Sequence, residues 1–129
     1  MYIKKIVSYD EVAREADLII SDGKYDLMVY AQPFLTKYKD EKFKLIAFTA
    51  DNIMTIDKEE YAIEKTNQGY YSYWFKGKLI DSKRGIVAIN NIIIEDVGWI
   101  PNDIHDGEFI EFTCLRLDYQ CMKNLYSIK

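Results

Sequence analysis

The stretch that decides the fold is ADLIISDGKYDLMVY, residues 16–30. At its centre is Asp22-Gly23, and a two-residue Asp-Gly loop between alternating segments is the strongest short-range signal for a β-hairpin. Pairing outward from this loop predicts one wholly apolar face, with Ile20 opposite Tyr25, Leu18 opposite Leu27 and Ala16 opposite Val29. The other face is mixed, as a half-buried antiparallel sheet requires.

The composition supports one β-rich domain. Of the 129 residues, 49% are hydrophobic and 15% are aromatic, with 11 Tyr. Aromatic and β-branched residues favour pleated, half-buried surfaces. Six Gly and two Pro form no stretch that resembles a linker, so we expect a single domain over residues 1–129.

Two further hairpins are expected in the second half of the chain. Residues 61–66 pair with residues 70–81 across a three-residue loop that ends in Gly69. Residues 70–81 then pair with a strand that reaches Ile94, around the turn 82–85. In this register Leu79 faces Ala88, Phe75 faces Ile92 and Tyr73 faces Ile94. Gly77 lies inside the shared strand, where glycine is typical of a bulge or a tight bend such as a barrel corner.

The outward side of this long hairpin is also apolar. The same register places Trp74 opposite Ile93 and Ile80 opposite Val87. Strands that are apolar on both sides are typical of a closed barrel, a two-layer sandwich or an oligomer interface.

The last third of the chain resembles small β-barrels, OB-fold proteins among them. The resemblance covers residues 70–119 approximately, and depends on the turn 81–85, on Ile92-Ile93-Ile94, and on WIPNDIHDGEFIEF at residues 99–112. It implies an extended loop that leads into a Gly-initiated closing strand, although this chain has no clear helix between its middle strands. The expected fold is all-β, a single antiparallel domain that forms a partly open OB-like barrel or a two-layer β-sandwich, with at most one or two short helical turns.

The net charge and the motifs of the chain disfavour several classes of function. The net charge of −4 disfavours nucleic acid as a partner. No apolar run is long enough for a membrane span or a signal peptide, so a cytoplasmic location is expected. His105 is the only histidine, and Cys114 and Cys121 lack Cys-x-x-Cys spacing. The sequence therefore predicts no metal site, no cofactor and no catalytic motif, and it predicts two reduced thiols.

One parity of the strand 70–81 carries aromatic rings interleaved with lysines. Such a face can act as a stacking platform for bases or sugars, or it can pack under a loop or against another subunit. The candidate binding residues are Tyr70, Trp74, Lys76, Lys78, Ile80 and Ile93. We expect a small non-enzymatic binding or protein-interaction domain, whose apolar outward face binds a second copy or another protein. The alternatives are an OB-like module for single-stranded nucleic acid or oligosaccharide, and an enzyme with dispersed carboxylates.

Overall fold

The computed structural model describes residues 1–123 of the chain, and in this part the all-β prediction is confirmed. The strands are β1 (Tyr2–Asp10), β2 (Glu15–Ser21), β3 (Asp26–Ala31), β4 (Phe43–Thr55), β5 (Ala62–Lys65), β6 (Tyr73–Asp81), β7 (Ile86–Ile89), β8 (Ile92–Glu95) and β9 (Phe109–Cys121). The one helical element among these residues is a 3-10 turn at Thr36–Tyr38. Residues 1–123 contain no helix with the length and apolar character needed to cross a membrane.

Five strands close into a barrel in the order β4-β8-β7-β6-β9. The barrel closes because β9 pairs with β4 along one edge and with β6 along the other. The pairing of β4 with β8 is parallel and short, whereas the other barrel pairings are antiparallel. A closed barrel, consistent with an OB-like small barrel, thus replaces the partly open barrel and the sandwich that the sequence left as alternatives.

The N-terminal strands β1, β2 and β3 extend the sheet beyond the barrel. One edge of β9 has two partners in succession. Up to Cys114 it pairs with β6, and further along it pairs with β3, where Tyr30 and Asp118 are in parallel register. This change of partner along β9 brings the outer face of β3 next to the loop that precedes β6. At the other end of the sheet, β5 pairs with β6.

One hydrophobic cluster joins the N-terminal hairpin to the barrel interior. Alternation along the strands supplies this cluster, since successive side chains point to opposite faces. Its largest fully buried side chains are Phe34, Phe75, Phe112, Leu18, Ile20, Leu27, Leu45, Leu79, Ile89, Ile92, Ile94 and Ile110.

The predicted register of the first hairpin is wrong by two residues. Ile20 lies opposite Leu27 and Leu18 opposite Val29, because the loop has four residues, 22–25. The carboxylate of Asp22 accepts the backbone N–H groups of Lys24 and Tyr25 at 3.0 and 2.8 Å, which favours this wider loop. A shift of two residues keeps every side chain on its predicted face.

The predicted long hairpin is also wrong, since β7 ends at Ile89. Asn90 has a φ of 56°, and the chain turns there so that β8 pairs back on β7, with Ile94 opposite Val87. Asparagine accepts this left-handed conformation more readily than most residues. As a result Tyr73 faces Cys114 of β9, not Ile94.

The expected hairpin between β5 and β6 is present, but its loop is longer than predicted. It covers residues 66–72, so β6 begins at Tyr73 and Tyr70 belongs to the loop. Further along β6, a Cβ atom on Gly77 would lie 2.6 Å from the carbonyl oxygen of Ala88. Glycine is therefore required where the backbone of β7 approaches β6.

Candidate functional site

The outward face of β6 carries four of the six predicted binding residues. Trp74 and Lys76 are partly buried, whereas Lys78 and Ile80 are exposed. The other two, Tyr70 in the loop 66–72 and Ile93 on β8, lie on other elements. These residues remain candidates, but their arrangement differs from the predicted one.

The structure does not place Trp74 beside Ile93. The cross-strand neighbours of Trp74 are Glu64 on β5 and Thr113 on β9, and the neighbour of Ile93 on β7 is Ala88. The prediction fails because β8 turns back and is separated from β6 by β7. Val87, predicted to lie on the same outward face, is fully buried in the core instead.

The Trp74 region is less cationic than its sequence indicates. The ammonium of Lys76 lies 5.1 Å from the centroid of the Trp74 ring and 2.5 Å from a carboxylate oxygen of Glu60. The hydrogen bond from Lys76 lowers the pKa of Glu60, so the two groups are an ion pair at neutral pH. The indole N–H of Trp74 donates to Glu111 at 3.1 Å. The polar groups that could bind a phosphate are thus already bonded to acidic side chains.

Tyr70 instead forms one wall of a cleft of about 630 Å³. This cleft lies between the loop 66–72 and the outer face of the hairpin β2–β3. Its lining is mostly apolar and consists of Ile19, Asp26, Leu27, Met28, Lys65, Thr66, Asn67, Gly69, Tyr70 and Tyr73. A mainly apolar cavity with a few polar groups is the usual form of a binding pocket.

The loop that forms this wall is held in one conformation by hydrogen bonds. The ammonium of Lys65 donates to the carbonyls of Thr66, Gly69 and Ser72 at 3.1, 2.6 and 3.1 Å. The buried hydroxyl of Ser72 donates to the carbonyl of Gly69 at 2.8 Å. Lys65 therefore organises the loop, and its charge is used within the protein.

Tyr73 is a largely buried residue that also lines the cleft, and its hydroxyl reaches the edge of β3. Its oxygen accepts the backbone N–H of Met28 at 2.8 Å. At Met28 this edge of β3 pairs with none of the strands in residues 1–123. Burial raises the pKa of Tyr73, so the hydroxyl stays protonated at neutral pH. It retains a hydrogen that a bound acceptor can use.

A row of side chains in mutual contact, with its aromatic rings packed edge to face, continues from the cleft to the part of β9 that pairs with β3. We call Tyr70, Tyr71, Tyr30, Arg116 and Phe48 the aromatic strip. The ring centroids of Tyr70 and Tyr71 are 4.8 Å apart, and those of Tyr71 and Tyr30 are 5.9 Å apart. The guanidinium carbon of Arg116 lies 4.8 Å from the ring centroid of Tyr30 and 4.5 Å from that of Phe48. At its two ends the strip is exposed, Tyr70 to 62% and Phe48 to 49%.

Carboxylates hold the central members of the strip in position. Asp118 accepts from Nε and Nη2 of Arg116 at 2.5 and 3.1 Å, a bidentate geometry. Asp17 accepts the hydroxyl hydrogen of Tyr71 at 2.5 Å. Burial is the main cause that raises the pKa of Tyr71, and this hydrogen bond raises it further. These hydrogen bonds fix Arg116 and Tyr71, so the centre of the strip is preformed.

Sequence reasoning identified only Tyr70 in this strip. Its other members come from the loop 66–72, β3, β9 and β4. They meet because one edge of β9 pairs first with β6 and then with β3. The one cue in the sequence was Tyr30, which alternation places on the mixed face of the first hairpin. Nothing local to Phe48 or Arg116 indicates that they meet.

The thiols do not form a reactive pair. Cys114 and Cys121 are both free and stand seven residues apart on β9, which is about 23 Å along an extended strand. Burial raises the pKa of Cys114. Within residues 1–123, no group of three His, Cys, Asp or Glu side chains is arranged to hold a metal ion.

Comparisons of the chain with protein-family models, with curated proteins and with solved structures give no match. The fold class therefore rests on the strand pairing itself. What the chain can bind is indicated by the geometry of the aromatic strip and the cleft.

Proposed function

We propose that this chain is a small, non-enzymatic protein-interaction domain of the cytosol that binds a partner through the aromatic strip and the adjoining cleft. The observation that carries the proposal is the continuous row of contacts from Tyr70 to Phe48, which includes Arg116 and is exposed at both ends. Tyrosine, phenylalanine and arginine are among the residue types enriched in protein interfaces. Tyrosine and arginine are also over-represented among the few residues that dominate binding energy.

The strip is well suited to binding because its central side chains are already held in place. Arg116 is held between two rings and by a bidentate carboxylate, so little side-chain entropy is lost when a partner covers it. Next to the strip, the cleft offers an apolar pocket for an anchoring side chain, with the Tyr73 hydroxyl inside to bond a polar atom. A central anchor with a surrounding rim is the common anatomy of an interface.

Binding of single-stranded nucleic acid is supported less well. Three cations of the strip and the β6 region are already bonded, Lys76 to Glu60, Arg116 to Asp118 and Lys65 to backbone carbonyls. Lys78 alone on the β6 face has no such partner among residues 1–123. A groove for nucleic acid needs cations that are free to follow phosphates. The net charge of −4 acts in the same direction.

Site-specific photo-cross-linking tests the proposal. A benzophenone amino acid is placed at Phe48 and at Tyr70, the exposed ends of the strip, and in a control at Val12, which is 95% exposed on the turn after β1. In extract from the source organism, we expect the same discrete adduct from both strip positions and no such adduct from Val12. An adduct of twice the chain mass identifies a second copy as the partner.

Alanine variants then measure the contribution of the strip to binding of the captured partner. We expect Phe48→Ala and Tyr70→Ala each to weaken binding by about 1 to 3 kcal/mol, as truncation of aromatic anchors usually does. Val12→Ala is the matched control and should leave affinity unchanged. Equal adducts at all three positions, or unaltered affinity in both strip variants, would contradict the proposal.

A further inference from the structure

The loop between β8 and β9, residues 96–108, holds the most exposed large aromatic ring in residues 1–123. Trp99 is 75% exposed and lines an open cavity of about 670 Å³. Polar side chains share this cavity, namely those of Ser82, Lys83, Asn102, His105 and Asp106. This site is formed by elements other than those of the aromatic strip.

The exposure of Trp99 is not the result of a loose loop. Three side chains of the loop are buried, those of Val97, Ile100 and Ile104. The N–H of Val97 donates to the carbonyl of Gly85 at 2.9 Å, and the N–H of Gly107 donates to that of Leu79 at 2.8 Å. Since both ends of the loop are anchored to the turn and strand of the barrel, the indole is held out into solvent.

The ring and the polar groups around it are free to meet a ligand. No aromatic ring or cation of residues 1–123 lies against the ring of Trp99. One oxygen of Asp106 accepts the backbone N–H of Ser82 at 2.8 Å, which leaves its second oxygen available. Nδ1 of His105 lies 3.2 Å from Glu108, and this leaves Nε2 available.

The charge around Trp99 narrows the class of ligand. In the turn 81–84 and the segment 95–108, six carboxylates stand against two cations, Lys83 and Arg84. The carboxylates belong to Asp81, Glu95, Asp96, Asp103, Asp106 and Glu108. In the cavity lining itself Lys83 is balanced by Asp106. A phosphate chain therefore does not find the excess positive charge that nucleic-acid grooves need.

We propose that the Trp99 site binds a neutral oligosaccharide. One face of a pyranose ring is apolar and covers an indole, whereas its hydroxyl groups both donate and accept. Carboxylate, amide, imidazole and ammonium groups beside the ring match these hydroxyls. A methylated ammonium ligand fits less well, because its recognition uses a cage of several rings and no second ring of residues 1–123 packs against Trp99.

Fluorescence of a single-tryptophan protein tests the site directly. Trp74→Phe removes the other tryptophan, so that emission reports on Trp99 only. The probes are cellohexaose, chitohexaose and maltohexaose at up to about 10 mM, a range that detects the millimolar affinity of a small site. We expect at least one probe to shift or quench the emission, with almost no dependence on salt.

Calorimetry on the otherwise unchanged protein assigns the contacts. Trp99→Ala should weaken binding by about tenfold or more, as expected for loss of one stacking ring, and Asn102→Ala should weaken it less. Tyr70→Ala, the control on the aromatic strip, should leave sugar affinity unchanged.

Four results would overturn the proposal. The first is that no probe sugar alters the emission, and the second is that binding persists in Trp99→Ala. The third is binding of single-stranded DNA at this site with a steep salt dependence. The fourth is an emission shift with protein concentration alone, which would show that a second copy covers Trp99.

Discussion

Asp22 joins the first hairpin to the turn between β7 and β8, and its replacement should destabilise the protein at neutral pH. One carboxylate oxygen accepts the backbone N–H groups of Lys24 and Tyr25 at 3.0 and 2.8 Å. The other accepts the side-chain amide of Asn90 at 2.8 Å and the backbone N–H of Asn91 at 3.0 Å. Charged acceptors make stronger hydrogen bonds than neutral ones, so this one carboxylate stabilises two turns that are far apart in sequence.

The magnitude follows from the pKa of this carboxyl group. Burial by itself raises the pKa of Asp22, but the four hydrogen bonds outweigh burial and lower it from 3.8 to about 2. Each pKa unit corresponds to about 1.4 kcal/mol, so the ionised form contributes about 2 kcal/mol to folding. Because the folded pKa is the lower one, this stability is present above pH 4 approximately and is lost as the pH falls toward 2.

Urea unfolding of Asp22→Asn across a pH series measures this contribution. Asparagine keeps the size of the side chain and removes the charge. We expect the variant to be less stable than wild type by about 2 kcal/mol at pH 7, with the difference shrinking between about pH 4 and pH 2. Asp57→Asn is the control, since Asp57 is exposed and makes no hydrogen bond or ion pair within residues 1–123.

A constant difference across the pH series would refute this reasoning. It would show that the substitution acts through shape or packing, not through the ionised carboxylate. A difference below about 0.5 kcal/mol at pH 7, the usual size of a surface change, would also refute it.

Three smaller predictions concern the barrel, the first turn and the thiols. Gly77→Ala should lower stability in urea by about 2 to 3 kcal/mol, because its Cβ would meet the Ala88 carbonyl at 2.6 Å; stability equal to wild type would mean that β7 moves away freely. Gly23→Val should cost about 1 to 3 kcal/mol in the same assay, since a β-branched residue is strained at a φ of 92°, and an unchanged midpoint would speak against that conformation. In labelling with a thiol reagent at pH 8, Cys121 should react first and Cys114 slowly, because burial raises the pKa of Cys114; equal rates in the folded protein would contradict its burial.

Alternation along the chain determined which side of most strands is buried. Leu18, Ile20, Leu27 and Val29 form the core face of the first hairpin, although their predicted register was wrong. A side chain changes face only when a strand slips by an odd number of residues, and here the slip was two. The buried set was therefore predictable, whereas the loop that sets the register depended on the hydrogen bonds of Asp22.

Strand partners, by contrast, were decided by contacts between distant segments. The segment 86–94 has enough β propensity for one long strand, and it is divided at Asn90, whose side chain bonds to Asp22, 68 residues away in the sequence. This division moves Ile93 away from Trp74 and leaves Tyr73 free to pair with β9. Local patterns do not contain such information, because propensity describes how a residue fits a strand and not which strand lies next to it.

The same contrast between local pattern and tertiary contacts applies to the candidate sites. The sequence alone predicted Tyr70 as a candidate binding residue. Tyr30, Arg116 and Phe48 join it in one row only because β9 pairs first with β6 and then with β3. The exposure of Trp99 likewise depends on a loop anchored to the barrel by Val97 and Gly107. Short-range alternation determines the face on which a side chain lies, and the closure of the barrel, which joins segments far apart in the chain, determines what that side chain meets.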